Sequence, residues 1–168
     1  MQPVFHEIQR FNRWWHYLIA AVPVLLTTGI SLTVYVNSSS KVHTPDTLPL
    51  TIPGAVILSS LLAFFWFLSM KLETVIDAQS ISVRFRGIPF CKRTIAWHDI
   101  KTVSLIDYSP LIDYGGWGVR YGMAGNGWCY NVAGNKGIKL FYQNGSPFLI
   151  GTQQADAAQK VIEYYFKS

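Results

Sequence analysis

Two long apolar runs dominate the first half of the chain, and the pattern behind them alternates. No Asp, Glu, Lys or Arg occurs between Arg13 and Lys41, or between Asp46 and Lys71. The apolar stretches inside these gaps, residues 14–36 and 48–70, are each about 23 residues long. As helices they would reach about 35 Å, enough to cross a hydrocarbon core of about 30 Å. A backbone in lipid must satisfy its own hydrogen bonds. The pattern therefore predicts two transmembrane helices joined by an external loop over 37–47. The first run is longer than the core of a cleaved signal sequence. Pro23 is expected to bend the first span, while Pro49 and Pro53 fall near the start of the second, where a missing donor costs least.

From Lys71 onward the period changes. Ile81, Val83 and Phe85 alternate with Ser82, Arg84 and Arg86, the pattern of a half-buried strand. Further short strands are predicted at 72–77, 93–96, 100–106, 118–122, 128–132, 138–142 and 148–151. Turn residues separate several of them, including Asp77 to Ser80, Gly134 to Gly137 and Asn144-Gly145. Near the end Ala155, Ala158, Val161, Ile162, Tyr165 and Phe166 recur at helical spacing, predicting an amphipathic helix over about 153–167 with Thr152 as N-cap. The expected fold is thus a membrane helical hairpin followed by a mainly antiparallel barrel or sandwich, residues 71–168, with one C-terminal helix over an open edge. Residues 1–13 form a leading segment with no predicted element.

Composition sharpens this division. Of 168 residues 50% are hydrophobic and 14% charged, with mean hydropathy +0.22, which argues against an ordinary soluble enzyme and against disorder. The charge deficit lies in the two spans, since residues 71–168 hold eleven basic and seven acidic residues. Arg10 and Arg13 precede the first span and Lys71 follows the second, whereas the loop has one Lys and one Asp. The positive-inside rule then puts both termini in the cytoplasm. Trp14, Trp15, Tyr17 and Tyr35, with Phe64 to Phe67, supply interfacial rings at the span ends. The N-x-Ser triplets at Asn37 and Asn144 are too frequent by chance to alter this.

Candidate chemistry is sparse. His6, His16, His43 and His98 stand at no metal-ligand spacing with one another or with Cys91 and Cys129, and the sequence has no HExxH, P-loop or dinucleotide fingerprint. No cofactor or metal is expected. The cysteines read as reduced thiols in the cytoplasm; an inverted topology would make them a disulfide candidate. The glycine-rich stretch 115–127 reads as a tight β-hairpin, or as a ligand loop in which Trp117 and Arg120 grip a headgroup or peptide. Asp107, Asp113 and Arg120 are the polar cluster an enzyme would use, though no spacing there demands acid–base chemistry. The clearest clue is basic: between Ala78 and His98 stand Arg84, Arg86, Lys92 and Arg93 with no acid. Returned together in a hairpin close to the inner leaflet, they suit anionic headgroups, or keep a sheet edge solvated. Nucleic acid is not an expected partner, because the aromatics follow strand alternation and form no stacking platform.

The order of parts resembles the bacterial PH-like (pleckstrin-homology-like) domains of small membrane proteins. The likeness rests on the strand pair over 72–86, Ile95-Ala-Trp-His-Asp-Ile100, Gly115-Gly-Trp-Gly-Val-Arg120, Gly137-Ile-Lys-Leu140 and Ile150-Gly-Thr-Gln153. It implies a bacterial inner-membrane protein presenting a non-catalytic binding or scaffold domain at the cytoplasmic face. Its ligand would be a protein partner or lipid headgroups. The alternative is an assembly subunit acting through its hairpin, as a homo-oligomer or with another membrane protein. Thr27, Thr28, Gly29, Ser31, Gly54, Ser59 and Ser60 would then offer close-packing surfaces.

Overall fold

The computed structural model describes residues 4–39, 51–123 and 125–166. The chain divides into two units, one of residues 11–69 and one formed by the segments before and after it.

In the helical unit, α1 (Trp14–Ser39) and α2 (Thr51–Ser69) run antiparallel. The rings of Phe11 and Phe67 meet at 4.8 Å at one end. At the other end Ile30, Val34 and Tyr35 share a small recess of about 130 Å³ with Ile52, Pro53 and Val56. α1 continues unbroken through Pro23. Lys41, His43, Asp46 and Pro49 of the expected loop and span start lie outside the described residues. Each helix has a stretch long and apolar enough to cross a membrane, and only 0% and 6% of those stretches is buried. A core helix of a soluble protein would instead hide one apolar face. His16, fully buried, accepts a hydrogen bond at Nδ1 from the Arg13 N–H at 3.2 Å. Hydroxyls inside the helices turn back on their own backbone: Thr27 donates to the Val24 carbonyl, Thr33 to Gly29, Ser59 to Val56 and Ser60 to Ile57. Such bonds satisfy these groups without a neighbouring helix.

The other unit carries two sheets. Sheet A has the order β1-β2-β3-β4, formed by Phe5–Arg10, Lys71–Ile76, Ser80–Arg86 and Lys92–Ala96. Sheet B has the order β5-β8-β9-β7-β6, formed by Ile100–Asp107, Lys136–Tyr142, Pro147–Gly151, Gly127–Asn131 and Gly118–Gly122. All neighbours pair antiparallel except β7 with β9. Leu72, Ile76, Ile81, Val83 and Phe85 from sheet A and Ile138, Leu140, Phe148 and Ile150 from sheet B are buried. The terminal helix α4 (Ala155–Tyr165) adds Ala158, Val161 and Ile162 to this core.

Among the described residues the strands form two separate sheets and do not close into a barrel. The 3-10 turn Trp97–Asp99 carries the chain from β4 to β5, which pairs with β8 instead. The glycine-rich stretch is the β6–β7 hairpin, packed so closely that a Cβ on Gly127 would stand 2.0 Å from the Pro147 carbonyl oxygen. A second small core lies on sheet B, where Tyr108, Tyr114, Cys129 and Leu149 cluster around the short helix α3 (Pro110–Tyr114).

β1 has no counterpart in the sequence reading, and its inner face explains why. Phe5, Glu7 and Gln9 point inward while Ile8 is exposed, which inverts the usual alternation. Most of the buried polar groups on this face have partners, Gln9 Oε1 being the exception. Glu7 accepts hydrogen bonds from the Thr152 hydroxyl at 2.7 Å and the Gln153 N–H at 2.8 Å. Gln9 donates to the Gly151 carbonyl at 2.7 Å. The first strand is thereby fastened to the lead into α4, whose N-cap is Gln154, not Thr152. The Thr152 hydroxyl still accepts the Gln154 N–H, at 3.1 Å, while its proton goes to Glu7.

Glu7→Ala strands the Thr152 hydroxyl and the Gln153 N–H, and is expected to lower the stability of the sheet unit by about 2 kcal/mol. Glu7→Gln, which keeps one acceptor, should cost less. Thermal unfolding of the full-length protein in detergent, followed by near-UV circular dichroism, checks both; an unshifted Glu7→Ala midpoint contradicts the fastening role.

Candidate functional site

Directly opposed residues of an antiparallel pair share a face. On the outward face of sheet A the register makes a row of Arg10, Lys71 and Arg86 across β1, β2 and β3. The next row contains Ile8, Glu73, Arg84 and Lys92, and the next His6, Val75, Ser82 and Thr94. Five cations thus occupy two neighbouring rows with a single carboxylate.

That carboxylate is already engaged. Arg86 donates from Nε to Glu73 Oε2 at 2.7 Å, and His6 Nε2 lies 3.2 Å from Oε1. The Arg86 hydrogen bond is the chief cause holding the Glu73 carboxyl below its ordinary value, against a smaller upward push from burial. Among the described residues no acid forms an ion pair with Arg10, Lys71, Arg84 or Lys92. Arg84 and Lys92 flank two shallow recesses. One, of about 500 Å³, is lined by the β3–β4 turn. The other, of about 270 Å³, opens over Glu73, Val75 and Ser82. Beside them the Ser82 hydroxyl donates to Thr94 Oγ1 at 3.1 Å. The site offers cations and hydroxyls to an anionic group.

The sequence-read basic set divides. Arg84, Arg86 and Lys92 share the outward face, but Arg93 does not. It pairs with inward-facing Val83, because neighbours along a strand point oppositely. Its guanidinium lies over the Phe148 ring at 5.6 Å, an arrangement favoured by the ring quadrupole. There it partly offsets the rise that burial imposes on the Tyr130 and Tyr142 phenols. Trp117 and Arg120 lie at the start of β6 in sheet B, with Arg120 Nε donating to the Trp117 carbonyl at 3.0 Å. They do not join the basic rows. Arg10 and Lys71 do, although as span-flanking charges they showed no sign of sharing a surface. Only the β1–β2 pairing brings them together.

Asp113 accepts the Ser109 N–H at 2.7 Å while Ser109 Oγ accepts the Ile112 N–H, a reciprocal cap on α3. Cys91 and Cys129 are free thiols, and burial pushes the Cys129 thiol far up, away from the reactive thiolate form. His98 meets Asp99 at 3.3 Å on the exposed corner before β5. Among the described residues no three His, Cys, Asp or Glu side chains are grouped to hold a metal ion. No known family model matches the chain, and no curated protein matches it.

Arg86→Ala is expected to let the Glu73 carboxyl rise toward its ordinary value, which a carbon-13 NMR titration of the carboxylates reads directly. A depressed folded-state value stabilises the fold above the ordinary carboxylate range and loses that effect as pH falls. The pair is partly exposed, so the gain is about 0.5 kcal/mol. The stability gap between wild type and Arg86→Ala should therefore close in acid; a gap that persists there contradicts the pairing.

Proposed function

We propose that this is an integral membrane protein whose α1–α2 hairpin crosses the bilayer and whose PH-like sheet unit binds anionic phospholipid headgroups at the cytoplasmic face. The carrying observation is the pair of basic rows at the end of sheet A where the chain leaves for α1 and returns from α2. Arg10 is four residues from Trp14 and Lys71 two from Ser69. Chain geometry limits these links to about 14 Å and about 7 Å. Any bilayer that holds the helices from their first turns is therefore within reach of the rows.

The uncovered apolar helices support membrane insertion, as do the hydroxyls of Thr27, Thr33, Ser59 and Ser60, each bonded within its own helix. The charge bias around the spans supports a cytoplasmic sheet unit, next to the leaflet rich in anionic lipid. A four-stranded sheet, a second sheet and a C-terminal helix, in that order, support the PH-like likeness. Assembly through the helices has less behind it. The hydroxyls of Thr27, Ser59 and Ser60, which would line such a contact, are already bonded to their own helices. Since the spans already anchor the chain, headgroup binding would orient the sheet unit and select lipid, not recruit the protein.

Each cation beside an anionic surface contributes about 1 kcal/mol before salt and mutual repulsion. Neutralising Arg10, Lys71, Arg84 and Lys92 together to Gln should then reduce the preference for phosphatidylglycerol over phosphatidylcholine by about tenfold or more. Native mass spectrometry of the full-length protein released from mixed-lipid nanodiscs reads this preference. Wild-type lipid ratios in the neutralised variant would sink the reading.

A further inference from the structure

We propose that the β3–β4 turn, tipped by Phe90, inserts into the interface of an anionic bilayer; the proposal rests on the headgroup reading above and adds an apolar contact to it. Phe90 is 100% exposed and, among the described residues, is the one non-glycine residue with positive φ, 65°. A large aromatic ring is thus held wholly in water, in a backbone region that favours glycine or asparagine. The exposed ring makes no contribution to the buried core, and strain of this kind gathers at functional positions. Ile88 and Pro89 make the rest of the tip apolar.

The base of the turn is firm. The Phe85 N–H donates to the Cys91 carbonyl at 2.8 Å, and Gly87, at φ 99°, lies so close to Met70 that a Cβ there would stand 3.0 Å from Met70 Cγ. A tip on such a base is presented without the ordering cost of a loose loop.

Three observations choose the occupant. In an antiparallel sheet alternate links fall at one end, so the β3–β4 turn is at the same end of sheet A as the β1–α1 and α2–β2 links. The turn is bracketed by Arg84, Arg86 and Lys92, with no acid between Ala78 and His98. Apolar tip and cationic shoulders follow the layering of a bilayer surface, with acyl chains beneath and phosphates above. A hydrophobic groove on a protein would suit the ring but not Arg84 and Lys92 beside it, with which no acid pairs among the described residues.

The test uses the full-length chain with Cys91→Ser, so that Phe90→Cys can carry an NBD fluorophore; Cys129 is fully buried. Nanodiscs contain phosphatidylcholine with phosphatidylglycerol, with and without doxyl groups on the acyl chains. A second label at Ala78 reports the β2–β3 turn, at the opposite end of the sheet, and Ile88→Cys repeats the measurement should the Phe90 variant misfold. Insertion predicts acyl-chain quenching at position 90 or 88 at least about twofold greater than at 78. Equal, weak quenching at both ends, in discs where phosphatidylglycerol preference persists, overturns the insertion and leaves the headgroup reading standing. Strong quenching at 90, together with unchanged lipid preference on neutralising Arg10, Lys71, Arg84 and Lys92, supports the insertion and removes the headgroup reading.

Discussion

The ladder between Phe5–Arg10 and Lys71–Ile76 is the constraint on which everything else depends. It closes a loop that contains the entire helical unit and ends with Arg10 opposite Lys71. Loop closure of that length has a substantial entropic cost that rises only slowly with further residues. The compensation is local and chemical. Phe5 is buried among the core residues, Glu7 takes two hydrogen bonds from the lead into α4, and Gln9 takes the Gly151 carbonyl. Without these contacts the first strand has little apolar surface with which to hold its place, and its exposed face adds only the His6–Glu73 contact.

The cationic rows follow from this closure. β3 and β4 alone provide Arg84, Arg86 and Lys92; adding β1 and β2 sets Arg10 and Lys71 beside Arg86. Five like charges on one face repel, and one ion pair with Glu73 offsets part of that. A fold that concentrates charge in this way loses stability unless an opposite charge faces it. An anionic surface is such a counterpart, and the same end of the sheet bears the uncovered Phe90. The charge placement and the apolar tip thus share one explanation.

Much of the architecture is legible in the residue pattern because its signals are simple. The gaps free of charge mark both helices, and strict alternation marks β3. Gly-rich turns mark the β6–β7 hairpin, and three-to-four spacing marks α4. Three features resist such reading. β1 is hidden because two of its three inward residues, Glu7 and Gln9, are polar, with Glu7 held by partners about 145 positions away. Arg93 is misassigned when neighbouring basic residues are counted as one patch, since strand parity separates it from Lys92. Two sheets cannot be told from a barrel by strand count; what decides is the corner Trp97–Asp99, which sends β5 to pair with β8. Of the site, the β3–β4 cations are visible in sequence, whereas Arg10 and Lys71 become neighbours only through long-range pairing.

If the cationic rows bind headgroups, the connecting end of sheet A faces the lipid and its other end faces away. β2 spans six residues, about 20 Å of strand, which is long enough to resolve a gradient. Paramagnetic broadening from a gadolinium chelate on the lipid headgroups, measured by NMR on the full-length protein in nanodiscs, reads it residue by residue. The account predicts broadening that is strongest at Lys71 and Arg86 and falls along both strands toward Ile76 and Ser80. A flat profile, or one strongest at Ile76 and Ser80, would contradict it.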